Sequence, residues 1–124
     1  MELGKYDFTI SNEVKNEYIV NTKKQSIIFK KDGLYWQNKH YKYDNLIISF
    51  LTSKYLLKVN LFVEVIVFND KSFIKPNFYI DLDNELLNAL IHYDIEIENK
   101  DKLIYIINNK EKAFNEIMKY GYLK

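Results

Sequence analysis

The spacing of hydrophobic residues changes several times along the chain, and each change predicts a new secondary-structure element. Tyr6, Phe8 and Ile10 alternate with polar residues, which is the period of two expected for a half-buried strand. Turn residues at Asp32-Gly33 and around Gln37-Asn38-Lys39 separate further short apolar runs. These runs predict strands at 18–21, 26–31, 34–37 and 40–43, the last three forming an antiparallel meander.

A helical period follows the meander. Asp44 can act as an N-cap, and the apolar residues after it have the spacing of one helical face: Leu46, Ile47, Phe50 and Leu51. This pattern predicts a helix over about 44–57, although the β-branched residues within it lower its helix propensity.

The second half of the chain predicts two strands, a helix, two more strands and a last helix. The strands are expected at 61–68 and 73–82, with a turn at 69–71 and Pro76 favouring an edge or a bulge. Asp83 should cap a helix over 83–93 whose buried stripe is Leu86, Leu87, Leu90 and Ile91. Alternation at 94–98 and an apolar run at 103–107 predict strands, and Gly121 should end a helix over 110–120. The sequence therefore predicts one α+β domain over 1–124, mainly an antiparallel sheet with about three helices packed on it.

Composition excludes several kinds of chemistry. The 124 residues contain no cysteine and three glycines, so there is no thiolate metal site, no cysteine nucleophile and no glycine-rich phosphate loop. The N-terminus has no apolar signal-peptide core, and the longest apolar run, at 61–68, is too short to span a bilayer. We expect a soluble cytoplasmic protein with no cofactor and no membrane partner.

Catalytic and metal-ligating residues show no recognisable pattern. His40 and His92 lie 52 positions apart and have no ligand-like neighbours, so we expect structural roles for both. Asp81, Asp83 and Glu85 could hold a hard cation, but helix capping explains them better. No serine stands in a nucleophile motif. We therefore predict no catalytic residue, no metal site and no enzymatic activity.

The charge distribution is more informative than the net charge of +1. Between positions 81 and 101 there are seven acidic residues and one lysine. Within this segment Asp94, Glu96 and Glu98 alternate with two isoleucines, so on a strand the three carboxylates would share one face. Such a row is either a solvated face paired with lysines or a docking surface for a basic partner.

Aromatic residues and lysines are interleaved in the meander. Tyr41 and Tyr43 should share one face of it, and His40 and Lys42 the other. These aromatics could cover the core, form a protein interface, or stack on nucleic-acid bases. All 18 basic residues are lysine, and the absence of arginine argues against a nucleic-acid partner. We predict a partner-binding set of Asp94, Glu96, Glu98, Tyr41 and Tyr43.

The order of elements resembles that of a group of small bacterial domains. The resemblance covers about residues 34–98, from Trp36 through the element at Asp44 and the strand at 62–68 to Asn77-Phe78-Tyr79-Ile80-Asp81 and Glu85-Leu86-Leu87. In composition and size the chain looks like the immunity proteins of bacterial polymorphic toxin systems, in particular those of contact-dependent growth inhibition. That resemblance implies a non-enzymatic protein that binds the catalytic domain of a cognate toxin tightly, and it carries over no individual residue.

Three functions follow in order of preference, and an enzyme of unrecognised type comes after them. The first is neutralisation of a cognate toxin domain by protein–protein binding. The second is inhibition of a host defence enzyme by a protein encoded on a phage or mobile element. The third is single-stranded nucleic-acid binding through the meander aromatics. The sequence leaves the oligomeric state and the identity of the partner open.

Overall fold

The computed structural model describes residues 8–22, 26–67 and 77–123. Over these residues the chain forms two antiparallel sheets and three α-helices, which confirms the α+β class. The strands are β1 (Tyr18–Asn21), β2 (Ser26–Lys30), β3 (Gly33–Trp36), β4 (Lys39–Tyr41), β5 (Leu46–Tyr55), β6 (Lys58–Val67) and β7 (Asn77–Asp81). The helices are α1 (Asn84–His92), α2 (Lys100–Asn108) and α3 (Lys110–Tyr120).

The first sheet is a meander in which the strands follow one another in the order β1-β2-β3-β4. It confirms the predicted meander and adds β1 to its edge. Gln37 and Asn38 both have positive φ and form the two-residue turn between β3 and β4. Gly33 also has positive φ, and a Cβ there would lie 2.4 Å from the carbonyl oxygen of Tyr41. Only glycine at position 33 therefore leaves room for the backbone of β4 to approach β3 at this point.

The second sheet has the order β5-β6-β7 and corrects one prediction. The helix expected over 44–57 is wrong: after a 3₁₀ turn at Tyr43–Asn45, the chain runs as strand β5 and pairs with β6 along all ten residues. The apolar positions fit both periods, because Leu46, Ile48 and Phe50 also alternate. Two features favour the strand. One is the long ladder with β6, in which the valines and the leucine are buried at every second position. The other is the number of β-branched residues in the segment.

Two of the predicted helices are present, and one predicted strand is a helix. Asp83 caps α1 by accepting a hydrogen bond of 2.8 Å from the Leu86 amide, and Gly121 ends α3 with φ 85°. The strand expected at 103–107 is wrong, because these residues lie in α2. Leu103 and Ile106 are its buried pair, three positions apart, so the apolar run follows a helical face rather than a strand.

One hydrophobic core joins the sheets and helices. Helix α1 packs on β1 and β2, whereas α2 packs on β5 and α3 on β5 and β6. The N-terminal strand predicted from Tyr6 to Ile10 lies partly outside the described residues, and residues 8–10 are not in a strand. The predicted turn at 69–71 and Pro76 also lie outside them. Among the described residues, no helix has the length and apolarity needed to cross a membrane.

Candidate functional site: an acidic groove

A groove of about 590 Å³ lies between the start of β5 and the connection from α1 to α2. We call it the acidic groove, because four carboxylates line it and no lysine does. These carboxylates are Asp44, Asp94, Glu96 and Glu98, and the remaining lining residues are Tyr43, Leu46, Ile47, Ile48, Tyr93, Ile95 and Ile97. The structure therefore brings together four of the five residues predicted to bind a partner.

The segment that carries three of these carboxylates is not the strand predicted at 94–98. It begins as the C-terminal cap of α1, where the amide of Asp94 donates to the Ile91 carbonyl and the amide of Ile95 donates to the Leu90 carbonyl. This is the hydrogen-bond pattern of a Schellman motif, and Asp94 takes the left-handed conformation that it needs, with φ 49°. The motif ends α1 and turns the chain toward β5.

The far end of the segment is fixed to the edge of β5. The Glu98 amide donates to the Ile48 carbonyl at 2.8 Å, and the Phe50 amide donates to the Glu98 carbonyl at 3.0 Å. These bonds form a single parallel bridge between Ser49 and Glu98. Because only one residue pairs, the segment is a bridge and not a strand. It nevertheless covers part of an open sheet edge.

The predicted alternation of burial within this segment is confirmed. Ile95 and Ile97 are buried, and Asp94, Glu96 and Glu98 are exposed. Lys100 lies 3.1 Å from Asp94, whose side chain is 93% exposed. Among the described residues, Glu96 has no hydrogen bond or ion pair. The carboxylates are therefore largely solvated, and their combined charge gives the groove a negative potential.

Two tyrosines form the apolar walls of the groove. The Tyr43 hydroxyl donates to the Lys30 carbonyl, and the Tyr93 hydroxyl donates to the Lys15 carbonyl at 2.6 Å. Burial raises the pKa of both hydroxyls above that of an ordinary tyrosine, and most strongly for Tyr43. Because both hydroxyls bond to backbone carbonyls of this chain, these tyrosines offer ring surface rather than a hydroxyl to a ligand.

Tyr41, the fifth predicted residue, does not line the groove. It lies in β4 opposite Leu34, and its ring packs at 6.3 Å from that of Trp36. The predicted shared face of Tyr41 and Tyr43 is not formed as a strand face, because Tyr43 belongs to the 3₁₀ turn that follows β4. Both tyrosines are half-buried against the core.

The remaining aromatics of the meander have neighbours of their own. His40 stacks on Tyr35 from the β4 side, with ring centroids 4.5 Å apart and planes 14° apart. From the β2 side, the Lys30 ammonium lies 4.9 Å from the centre of the same ring. Tyr35 is therefore a half-buried ring that contacts its neighbours on both adjacent strands.

Two of the three carboxylates Asp81, Asp83 and Glu85 act in capping and pairing. Asp83 caps α1, and Glu85 accepts from the Lys15 ammonium at 2.9 Å. Across the described parts of the chain, no group of three or more histidines, aspartates or glutamates is placed to hold a metal ion.

Sequence reasoning missed Asp44 and Tyr93 as parts of the groove. Asp44 was expected to cap a helix, and nothing in the local pattern indicates that residues 43–48 lie beside residues 93–98. Comparison with known proteins gives no further guidance, since no protein-family model, curated protein or solved structure matches the chain.

Proposed function

We propose that this chain is a non-enzymatic binding protein that neutralises a cognate bacterial toxin domain in the cytoplasm. The observation that supports this proposal is the acidic groove, in which four carboxylates and two tyrosine rings share one concave surface. A basic, lysine- or arginine-rich surface on the toxin domain is the complementary partner, because opposite potentials accelerate encounter and select the partner. The resemblance to immunity proteins implies a toxin domain as the partner and does not specify its charge.

Each part of the groove has a role in this proposal. Asp94, Glu96 and Glu98 supply charge at the rim, where they steer association. The rings of Tyr43 and Tyr93 supply the desolvated contact area on which interface affinity depends. Blocking a basic active site or substrate path on the toxin requires no chemistry from this chain, which agrees with the absence of a catalytic motif from the sequence.

The test begins with co-purification of the chain with the product of its neighbouring gene. Binding kinetics are then measured for a triple variant, Asp94→Asn, Glu96→Gln and Glu98→Gln, at low and high ionic strength. These substitutions keep side-chain size, and asparagine tolerates the left-handed conformation at position 94. We expect association to slow by about tenfold or more at low salt and by less at high salt, where charge is screened.

A second triple variant controls for net charge. Glu13→Gln, Glu17→Gln and Glu111→Gln remove the same charge from exposed positions outside the groove. We expect this control to bind nearly as the wild type does. Equal kinetics for the groove variant and the wild type at both ionic strengths would show that the acidic groove is not the binding surface.

A further inference from the structure

The hairpin of β5 and β6 ends in hydrophobic residues. Tyr55 is 71% exposed, Leu56 75% and Leu57 76%, and the two leucines form the whole two-residue turn. Hairpin turns of this length favour asparagine, aspartate and glycine. The β3–β4 turn of this chain follows that rule at one of its two positions, Asn38. Two adjacent exposed leucines at a protruding turn therefore require an explanation other than turn formation.

Leu56 also has an unfavourable backbone conformation. Its φ is 55°, in the left-handed region that glycine and asparagine enter readily and leucine does not. A residue better suited to the turn would stabilise the hairpin and would also remove an exposed apolar side chain. The chain has leucine there despite both costs, which points to a contact made by the side chain.

The surroundings of the tip are basic. Lys54 and Lys58 flank the three apolar residues on the two strands, and both are exposed. The Lys54 ammonium donates to the Met118 carbonyl at 2.9 Å, so the last turn of α3 lies beside the hairpin. The same turn contains the exposed Lys119. Tyr120 and Tyr122 come next to it in the chain, and their ring centroids are 6.4 Å apart. We call this surface the hairpin tip: Lys54, Tyr55, Leu56, Leu57, Lys58, Lys119, Tyr120 and Tyr122.

We propose that the hairpin tip binds the surface of an anionic lipid bilayer. A convex turn with two leucines at its apex can insert them below the headgroups, and tyrosine rings favour the interface. The lysines around the apex would remain at the level of the headgroups and attract anionic lipids. This charge complementarity, together with the absence of a carboxylate from the hairpin tip, favours an anionic bilayer over other partners.

The expected absence of a membrane partner rested on the lack of a long apolar segment and on the near-neutral net charge of +1, which does not describe the local charge of one surface. The first argument concerns a chain that spans the bilayer and does not apply to surface attachment. The hairpin tip is also separate from the acidic groove. The groove lies at the start of β5 and the tip at its end, and a strand of ten residues extends over about 30 Å. A bilayer and a protein partner could therefore be bound at opposite ends of one strand.

Vesicle flotation tests the proposal with the full chain. The probes are vesicles of phosphatidylcholine alone and vesicles that also contain about 30% phosphatidylglycerol. The test variant combines Leu56→Gly with Leu57→Asn, which suits the turn and should keep or raise the melting temperature. We expect the wild type to float with the anionic vesicles and not with the neutral ones, and the variant to bind the anionic vesicles about tenfold more weakly.

Two further pairs of variants test the lysines. Lys58→Gln with Lys119→Gln removes two charges from the hairpin tip, and Lys39→Gln with Lys42→Gln removes two from exposed positions outside it. We expect only the first pair to weaken flotation, and added salt to weaken it further.

Three outcomes would overturn the proposal. The first is that the wild type does not float with anionic vesicles at low salt. The second is that the leucine variant floats as well as the wild type does. The third is that the two lysine pairs weaken flotation to the same extent. If no form of the chain bound vesicles, but the wild type bound an acidic protein that the leucine variant did not bind, the hairpin tip would be a protein interface.

Discussion

The Ser49 hydroxyl donates a hydrogen bond of 3.0 Å to the Glu98 carboxylate. Ser49 is buried in β5, whereas Glu98 is an exposed residue of the acidic groove. The bond joins residues 49 positions apart in the chain, beside the one backbone bridge between the acidic segment and β5. The side of the groove that carries Glu98 is thus fixed by this bond and two backbone hydrogen bonds, and the next residue, Asn99, adds a side-chain hydrogen bond to the Phe50 carbonyl at 3.2 Å.

Ser49→Ala should therefore lower the free energy of unfolding by about 1 kcal/mol, since one partly buried hydrogen bond is lost and the cavity left is small. Amide exchange at Ile97 and Glu98 should become faster, because fewer contacts then hold this end of the segment. Chemical denaturation and hydrogen exchange measure the two effects. Ser53→Ala, on the same strand but half-buried, is the matched control and should change stability by less than about 0.5 kcal/mol. Equal effects of the two substitutions would contradict the role given to Ser49.

Two large core residues should be among the most sensitive positions. Phe50 in β5 and Leu87 in α1 are both fully buried. Phe50→Ala and Leu87→Ala should each lower the free energy of unfolding by about 2–5 kcal/mol, through lost burial and the cavity created. Leu57→Ala, at an exposed position, should change it by less than about 0.5 kcal/mol. Urea denaturation compares the three variants, and a small effect at either core position would show that the site repacks.

The burial of Phe50 was predicted correctly although its secondary structure was not. A run such as Leu46-Ile47-Ile48-Ser49-Phe50 places hydrophobic residues at both helical and strand spacings, so the pattern identifies a buried face without its period. The ladder with β6 decides in favour of a strand, and that ladder is a tertiary contact. The capping predictions at Asp83 and Gly121 are confirmed, because the side chain of Asp83 and the backbone of Gly121 act within one turn of the helix, whereas the prediction at Asp44 was wrong together with its helix.

The acidic groove could be predicted only in part, because part of it also depends on tertiary contacts. The alternation of Asp94, Glu96 and Glu98 with isoleucines predicted their exposure, which depends on local pattern. The contribution of Asp44 and Tyr93 depends on how β5 passes the end of α1, which no local pattern contains. The exposed leucines at 56 and 57 were expected inside or beside a helix, so their exposure became visible only with the hairpin.

Helix α1 holds the extended segment 8–17 through side chains that recur every four residues. Asn84 accepts from the Thr9 amide at 3.0 Å, Asn88 accepts from the Ser11 amide at 2.8 Å, and the His92 Nε2 donates to the Ser11 carbonyl at 2.7 Å. The Asn88 amide nitrogen also donates to the Thr9 carbonyl at 2.9 Å. Because Asn88 is buried and bonds both ways to the segment, it is the central contact of this row.

Asn88→Ala should release segment 8–17 while α1 remains folded. We expect amide exchange of Ser11 to increase strongly, and the free energy of unfolding to fall by about 1–3 kcal/mol, because two backbone groups of the segment, the Ser11 amide and the Thr9 carbonyl, lose their partner. Asn115→Ala, at an exposed position of α3, is the control and should leave the segment protected. Unchanged protection of the Ser11 amide in the Asn88 variant would show that other contacts hold the segment.

The buried hydroxyl of Tyr43 should make the fold sensitive to alkaline pH. Its pKa is raised in the folded protein by burial, whereas in the unfolded chain a tyrosine titrates near 10.0. The folded state therefore holds this proton more tightly than the unfolded state. Stability should be independent of this group below about pH 9 and should fall as the pH rises above about 10.

Tyr43→Phe separates this effect from the hydrogen bond that the hydroxyl makes. At pH 7 the variant loses the bond to the Lys30 carbonyl and should be less stable by about 1 kcal/mol. As the pH rises above 10, the wild type loses stability faster than the variant, so the difference should shrink and then reverse. The variant should keep a smaller alkaline slope, because burial also raises the pKa of Tyr93. Urea denaturation at intervals from pH 7 to pH 11 measures both curves, and parallel curves would show that Tyr43 ionises as readily in the folded protein as in the unfolded chain.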